Sequence, residues 1–361
     1  MGQGLARAFP ARKMAATHSS AARAQLPHDG HARTLYEAPM KRFVIMIVAV
    51  VAVSVLWMGG WFYIAGQVRG EILYLAQADG ITQPRLVCDR LDVGGAPFSF
   101  SPRCTDAQIT SGDMTIELAA ITGTALFYTP THIQLFATGP AKITDAFTGA
   151  TQEVRWSNMH ASLRLDNAMI ERFSALADDL VYADMLIGET IIGTATHGEF
   201  HLLDATPADA PPGTGTVFDA YATLEDVTSQ DNDIANGSLV IDARLSGLPD
   251  PALWGDPQVL GFWQALGGEL VLRGIEASAD GLSLTAQGAA NLTDAGLVNG
   301  NLDIASQGVA DRIAALVGDP SVAQIVLGSP GEDGVSRQTL RVNDGTVVVG
   351  IIPVASLPPL F

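Results

Sequence analysis

Few residues in this chain have the types and spacing that chemistry needs. Four histidines follow the apolar segment near the N-terminus: His132, His160, His197 and His201. Their best grouping is His197-Gly198-Glu199-Phe200-His201, because on a β-strand positions 197, 199 and 201 point to one side. Imidazole and carboxylate are metal ligands, yet positions four apart on a strand are separated by roughly 13 Å, too far to share one ion without a bend. A helix would make His197 and His201 neighbours, but Gly193, Thr194, Thr196 and Gly198 disfavour one. The expectation is a solvent-facing strand.

Asp231-Asn232-Asp233-Ile234-Ala235-Asn236-Gly237 opens like a calcium loop. Ala235 stands at its fifth position, Asn236 at the sixth where glycine is needed, and Asp242 at the twelfth in place of glutamate, so a turn at Asn236-Gly237 is expected. The acidic pairs Asp178-Asp179 and Glu225-Asp226 are adjacent in sequence and diverge, whereas a general acid and base must converge. No G-x-S-x-G, P-loop, G-x-G-x-x-G after a strand, or H-E-x-x-H occurs. No catalytic, cofactor or metal residue is therefore assigned.

Cys88 and Cys104 are the two cysteines. An even pair in an oxidising space is most simply a disulfide, and one closing a loop of this length stabilises by about 3 kcal/mol on the chain-entropy estimate. Gly94-Gly95-Ala96-Pro97 lies between alternating segments, so a hairpin stapled near its open end is expected. Two thiols without a nearby histidine would leave zinc short of ligands.

The surrounding elements set the compartment. Phe43 to Ile64 carries no charge, and as a helix it spans roughly 33 Å, matching a hydrocarbon core of about 30 Å. A secretory signal has a shorter apolar region and small residues at its cleavage site, whereas Trp57, Trp61, Phe62 and Tyr63 crowd this far end. Residues 1–42 hold seven basic and two acidic side chains, leaving 13 basic and 36 acidic for the rest of the 361-residue chain. Lys41 and Arg42 abut the near end of the apolar run, which by the positive-inside rule puts the N-terminus in the cytoplasm and the acidic remainder outside. The net charge of -18 opposes general nucleic-acid binding.

That remainder reads as mainly β (α+β): curved antiparallel sheets with a few inserted amphipathic helices. Alternation recurs at Met114-Ile116-Leu118, Ile133-Leu135-Ala137, Ala161-Leu163-Leu165 and Leu239-Ile241-Ala243-Leu245. Gly281 to Gly308 reads as a meander. Helices are expected over Asn167 to Leu186, from the stripe Met169, Ile170, Phe173, Leu176 and Leu180, over Pro257 to Leu266, which groups Phe262 and Trp263, and over Gln67 to Gly80. Pro207, Pro211 and Pro212 make 205–215 a loop or linker. The expected organisation is a basic extension over 1–40, an anchor over 41–65, β-rich halves over 66–205 and 217–361, and a Pro-rich loop over 206–216.

Cys88-Asp89-Arg90-Leu91-Asp92-Val93-Gly94-Gly95-Ala96-Pro97-Phe98, followed by Cys104, resembles the signature of the alphaproteobacterial family known as domain of unknown function 2125. That resemblance implies an N-terminal membrane span and a Gly-x-Pro-Phe turn; Ala96 and Ser99 stand where the family has a bulky residue and arginine. A looser similarity to AsmA-like envelope proteins, through the anchor, the long antiparallel sheet and an ending such as Asn343 to Pro353, implies a β-groove concerned with lipid. Neither resemblance supplies catalytic residues. The leading expectation is an inner-membrane-anchored periplasmic protein that binds or shields lipid along a β-groove. The second is a scaffold docking another envelope protein through Phe262 and Trp263, and the third is a hydrolytic enzyme without a recognisable motif.

Overall fold

The structure, a computed structural model, describes residues 38–167, 169–317 and 320–361. The basic extension lies outside the described residues as far as residue 37. The chain divides into two compact units at Val55/Leu56, and helix α1 (Ala38–Leu75) straddles that boundary. Its segment Lys41–Leu75 has a window of mean hydropathy 2.5, long and apolar enough to cross a membrane. The helix is continuous to Leu75, so the separate helix expected from Gln67 belongs to α1. Gly66 and Gly70 lower its propensity without a proline to break it. Beyond its end the Asp79 carboxylate accepts from the Ile81 N–H at 2.9 Å, the Thr82 hydroxyl at 2.8 Å, the Gln83 N–H at 3.2 Å and the Thr82 N–H at 2.9 Å, which holds its pKa at about 2.

All strands join one 16-stranded antiparallel sheet in the second unit. They are β1 (Arg85–Gly94), β2 (Ser99–Ser111), β3 (Met114–Leu126), β4 (Thr129–Asp145), β5 (Thr151–Arg155), β6 (Asn158–Asp166), β7 (Met169–Asp184) and β8 (Thr190–Asp204). After the Pro-rich loop come β9 (Thr216–Ser229), β10 (Ile234–Leu248), β11 (Glu269–Ala279), β12 (Leu282–Leu292), β13 (Val298–Gln307), β14 (Ser336–Asn343), β15 (Thr346–Val349) and β16 (Ile352–Ser356). Spatial order follows chain order except that β5 and β6 lie end to end between β4 and β7. The edges are β1 and β16. Because β8 pairs with β9, the sheet runs on across the Pro-rich loop. Helix α2 (Val259–Ala265) links β10 to β11; α3 (Ala310–Val317) and α4 (Pro320–Leu327) link β13 to β14.

The register produces two unlike faces. One apolar row crosses thirteen strands through directly paired residues: Phe100, Ala125, Ile133, Leu163, Phe173, Leu202, Ala220, Ala243, Leu272, Gly288, Leu302, Leu340 and Val349. Their chain neighbours point to the opposite, polar face, the usual consequence of a two-residue period.

A transverse crease interrupts this regularity. Asp106 (φ 46°), the bulge between Leu118 and Ala120, Gly139-Pro140, the break at Trp156-Ser157, Asp179 (φ 53°) and Asp226 (φ 49°) fall at matching heights on successive strands. The Trp156 indole lies over Gly139, where an added Cβ would come within 3.1 Å of the ring. Its Nε1 donates to the Ala137 carbonyl at 3.1 Å.

The crease explains why Asn167 to Leu186 is not the expected helix. It is β7, and two irregularities lend it helical spacing. Glu171 is an extra residue at the bulge between the Leu165/Ile170 and Arg164/Arg172 pairs, so Ile170 and Phe173 share the apolar face three positions apart. The left-handed Asp179 does the same for Ala177, paired with Gly198, and Leu180, whose Cδ1 also lies over Gly198. Tertiary pairing thus overrides the local periodic signal.

Candidate functional site

The candidate site is the apolar face, built by β-strands whose inward positions are Leu, Ile, Phe and Ala. Its first strands are covered by α1, whose side chains pack on them. Trp61 stacks on Phe100 at 5.7 Å and 9°, with Ala65 and Val93 completing that cluster. Ile72 packs on Leu91, Cys104 and Ala107. Cys88 and Cys104 form the disulfide, with Cα atoms 5.2 Å apart. Cys88 pairs with Ala107 and Cys104 with Leu91, so the bridge runs diagonally across the middle of the hairpin, not near its open end. It lies beside the crease at Asp106, where Cys104 and Ala107 share a face three positions apart.

Further along the sheet, among the described residues, Phe218 of β9, against Trp254, is the one large strand side chain buried to a like degree. Phe173 and Phe200 pack against each other at 6.1 Å, yet Phe200 stays 40% exposed. Leu135, Leu163, Leu202, Leu224 and Ile241 are half-buried. Among the described residues the largest fully buried side chain is Phe218, and most of the other buried apolar residues are alanines. A sheet packed against a second layer would bury its large side chains and leave the small ones as spacers. Here the large ones stand in a surface that can accept further apolar matter.

Phe262 and Trp263 occupy α2 at the end of β10. Trp263 is half-buried: its Nε1 donates to the Ser246 carbonyl at 2.8 Å, and its indole fills the space beside Gly268 that a side chain would need. Trp254 meets Phe218 edge-on at 5.9 Å. Both indoles are therefore fastened to their own sheet.

The polar face carries charge ladders that sequence reasoning found only in part. On β8, His197, Glu199 and His201 do share a side, and the register sets them against Asp178 and Ser174 of β7. His197 Nδ1 donates to Asp178 at 2.7 Å and its Nε2 to Glu199 at 3.0 Å. Both partners are carboxylates, an arrangement that favours the doubly protonated ring. Its pKa is raised from 6.5 by the hydrogen bonds to Glu199 and then Asp178. Glu199, held low by bonds from His201 and His197, takes His201 Nε2 at 2.9 Å, while His201 Nδ1 accepts from Ser174 at 2.9 Å. Asp178 is lowered by His197 and by Asn158, which lies beside His160. His132 meets Ser162 at 2.9 Å. Among the described residues no group of three His, Cys, Asp or Glu side chains is arranged to hold a metal ion.

Asp219 receives two bonds from Arg244, at 2.7 and 2.8 Å, and one from Arg273 at 2.7 Å, which lowers its pKa. A polar trough of about 710 Å³ adjoins it, lined by Arg273, Glu276, Gln287, Asp303, Arg337 and Arg341 with their neighbours. Of these, Gln287 and Asp303 fall in the meander read from the sequence, and the convergence of all six comes from cross-strand register. The Asp231-to-Gly237 turn has its carbonyls engaged: Arg312 donates to the carbonyls of Asn232 and Asp233, both at 2.9 Å.

What the arrangement offers chemically is adhesion of apolar matter on one face and a solvated, ion-paired surface on the other. Comparison with curated proteins and with solved structures finds no match. Residues 61–358 match the family described as "Uncharacterized protein conserved in bacteria (DUF2125)", a stretch that takes in the far end of α1, the cysteine hairpin and the whole sheet. On that match the chain belongs to the DUF2125 family.

Proposed function

We propose that this protein is a non-catalytic envelope protein, tethered by α1 in the inner membrane with its sheet in the periplasm, that binds acyl chains along the apolar face of the sheet. The observation that carries the reading is that the large apolar side chains of the row from Ile133 to Leu202 stay only half-buried, with Phe200 beside them 40% exposed, whereas Trp61, Leu91 and Phe100 are buried where α1 covers the sheet. Three features support the topology: the basic residues that precede the apolar run, the acidic remainder, and a disulfide that calls for an oxidising compartment. A surface this acidic repels anionic headgroups, so the tails, not the heads, supply the attraction. The looser likeness to AsmA-like proteins points the same way by analogy of fold.

The test is to purify the full-length chain in a lipid-free detergent after extraction from its native membrane, and to analyse bound lipid by mass spectrometry. Lipid at about one or more per chain is expected. Preparations that stay folded and carry none, in every detergent tried, contradict the reading.

A further inference from the structure

We infer that the β1–β2 and β3–β4 turns are seated in the membrane interface beside α1, so that the apolar face of the sheet starts at the surface of the outer leaflet. This rests on the proposed role of α1 as a retained anchor, and it adds where the sheet meets the bilayer.

The order of contacts along α1 carries the inference. Trp57 Nε1 donates to the Pro97 carbonyl at 3.0 Å, and its ring lies 4.7 Å from Phe127 and 6.4 Å from Phe98. One turn further on, Trp61 Nε1 donates to the Ser99 carbonyl at 2.8 Å, and its ring stacks on Phe100. Three turns beyond that, Ile72 reaches Cys104 and Ala107. Ascending the helix therefore means ascending β2, so the β1–β2 turn points back toward the apolar run. Trp57 precedes Ile64 by seven residues, roughly 10 Å of helix, which puts the turn level with uncharged helix instead of beyond it. Trp57, Trp61, Phe62 and Tyr63 form the kind of aromatic belt that sits at the headgroup level, and Phe98, Phe127 and Tyr128 extend it sideways.

Composition and hydrogen bonding agree with that placement. Residues 93–102 and 118–131 contain no Asp, Glu, Lys, Arg or His, although the chain after residue 42 holds 36 acidic groups. Phe98 and Tyr128 are 62% and 71% exposed at the tips. The polar backbone there is engaged: Phe127 N–H donates to the Phe98 carbonyl at 2.9 Å, and Ser99 N–H to the Gly95 carbonyl at 2.9 Å. Gly95 has φ +99°, and any Cβ would collide with Ser99, so the tip admits no larger residue at that position. Closed turns with aromatic tips and no charge are what an interface accepts. From those tips the row continues through Ala125 and Ile133 to Leu163 without a charged step.

The experiment places a nitroxide side chain at Phe98, at Tyr128, or at Asp113 in the β2–β3 turn at the opposite end of the same strands. The full-length chain is held in nanodiscs of phosphatidylcholine and phosphatidylglycerol, and collision with oxygen is compared with collision with a water-soluble nickel chelate. The oxygen-to-nickel ratio is expected to be about tenfold higher at 98 and 128 than at 113. Equal ratios at all three sites overturn the inference. The exposed Tyr128 position tolerates the label if the one at Phe98 perturbs folding, and the Tyr128 ratio alone then decides. The intact mass separates the two readings: a chain that retains Phe43 to Ile64 but shows watery tips defeats this inference only, whereas a chain cleaved after that segment defeats the anchor as well.

Discussion

Two stretches of the same apolar face, one beneath α1 and one beyond it, share a pattern and differ in what lies on them. Beneath the helix, Trp61, Phe100, Leu91 and Cys104 are all at least nine-tenths buried, and a disulfide braces the hairpin that bears three of them on or between its strands. Beyond it, Phe200 is 40% exposed, and apart from Phe218, which packs against Trp254, the buried strand residues, such as Ala177, Ala195 and Ala243, are small. Alternation makes a strand one-sided but does not choose its cover. The first stretch is covered by its own chain and behaves as a core. The second is a surface built to the same rule, and it is the face proposed above to bind acyl chains.

The contrast breaks most visibly in stability. Trp61→Ala should cost about 3–5 kcal/mol, because it opens a cavity and leaves the Ser99 carbonyl without its donor, and denaturant unfolding of the detergent-solubilised chain checks it. Replacing Cys88 and Cys104 together by alanine should cost about 3 kcal/mol in the same assay, through the freed loop of the unfolded chain. Phe200→Ala, a truncation of equal kind beyond the helix, should cost under about 1 kcal/mol while lowering the lipid recovered with the protein. A large loss of stability there would mean that the stretch is core after all.

The smallest effect lies on the polar face. The raised pKa of His197 means that its contribution is complete below about pH 6.5 and is lost as pH rises through its folded value. Asp178 and Glu199 are lowered from 3.8 and 4.5, so theirs is complete above those values and is lost as pH falls through the folded ones. The groups facing this ladder are His201 and Glu225 on the flanking positions and His160 and Asn158 from β6. The melting temperature of the wild type minus that of His197→Gln should therefore be greatest between about pH 4.5 and 6.5 and shrink on either side. A difference that does not change with pH would remove the imidazolium from the ladder.

Much of this architecture was legible. The apolar run, the cysteine hairpin, α2 and the strands around Ile133, Leu163 and Leu239 follow from period and turn chemistry, since each obeys one local rule. The helical reading of β7 failed because a bulge at Glu171 and a left-handed Asp179 each add a residue between apolar positions, and periodicity cannot tell that spacing from a helix. The ladders of His197 and Asp219 were illegible for another reason: their partners are 19 to 54 residues away and meet only through register. The His197-Glu199-His201 row was seen, but not the Asp178 and Ser174 that complete it.

Phe200 and Tyr221 sit almost side by side on β8 and β9 and point to opposite faces, since Phe200 pairs with Ala222 and Tyr221 with His201. A photoreactive phenylalanine analogue placed at each position in turn, and irradiated in native membranes, samples the two surfaces at the same height. Acyl chains should be captured at 200 and not at 221. Capture at both alike, or at neither, would contradict a lipid-binding apolar face.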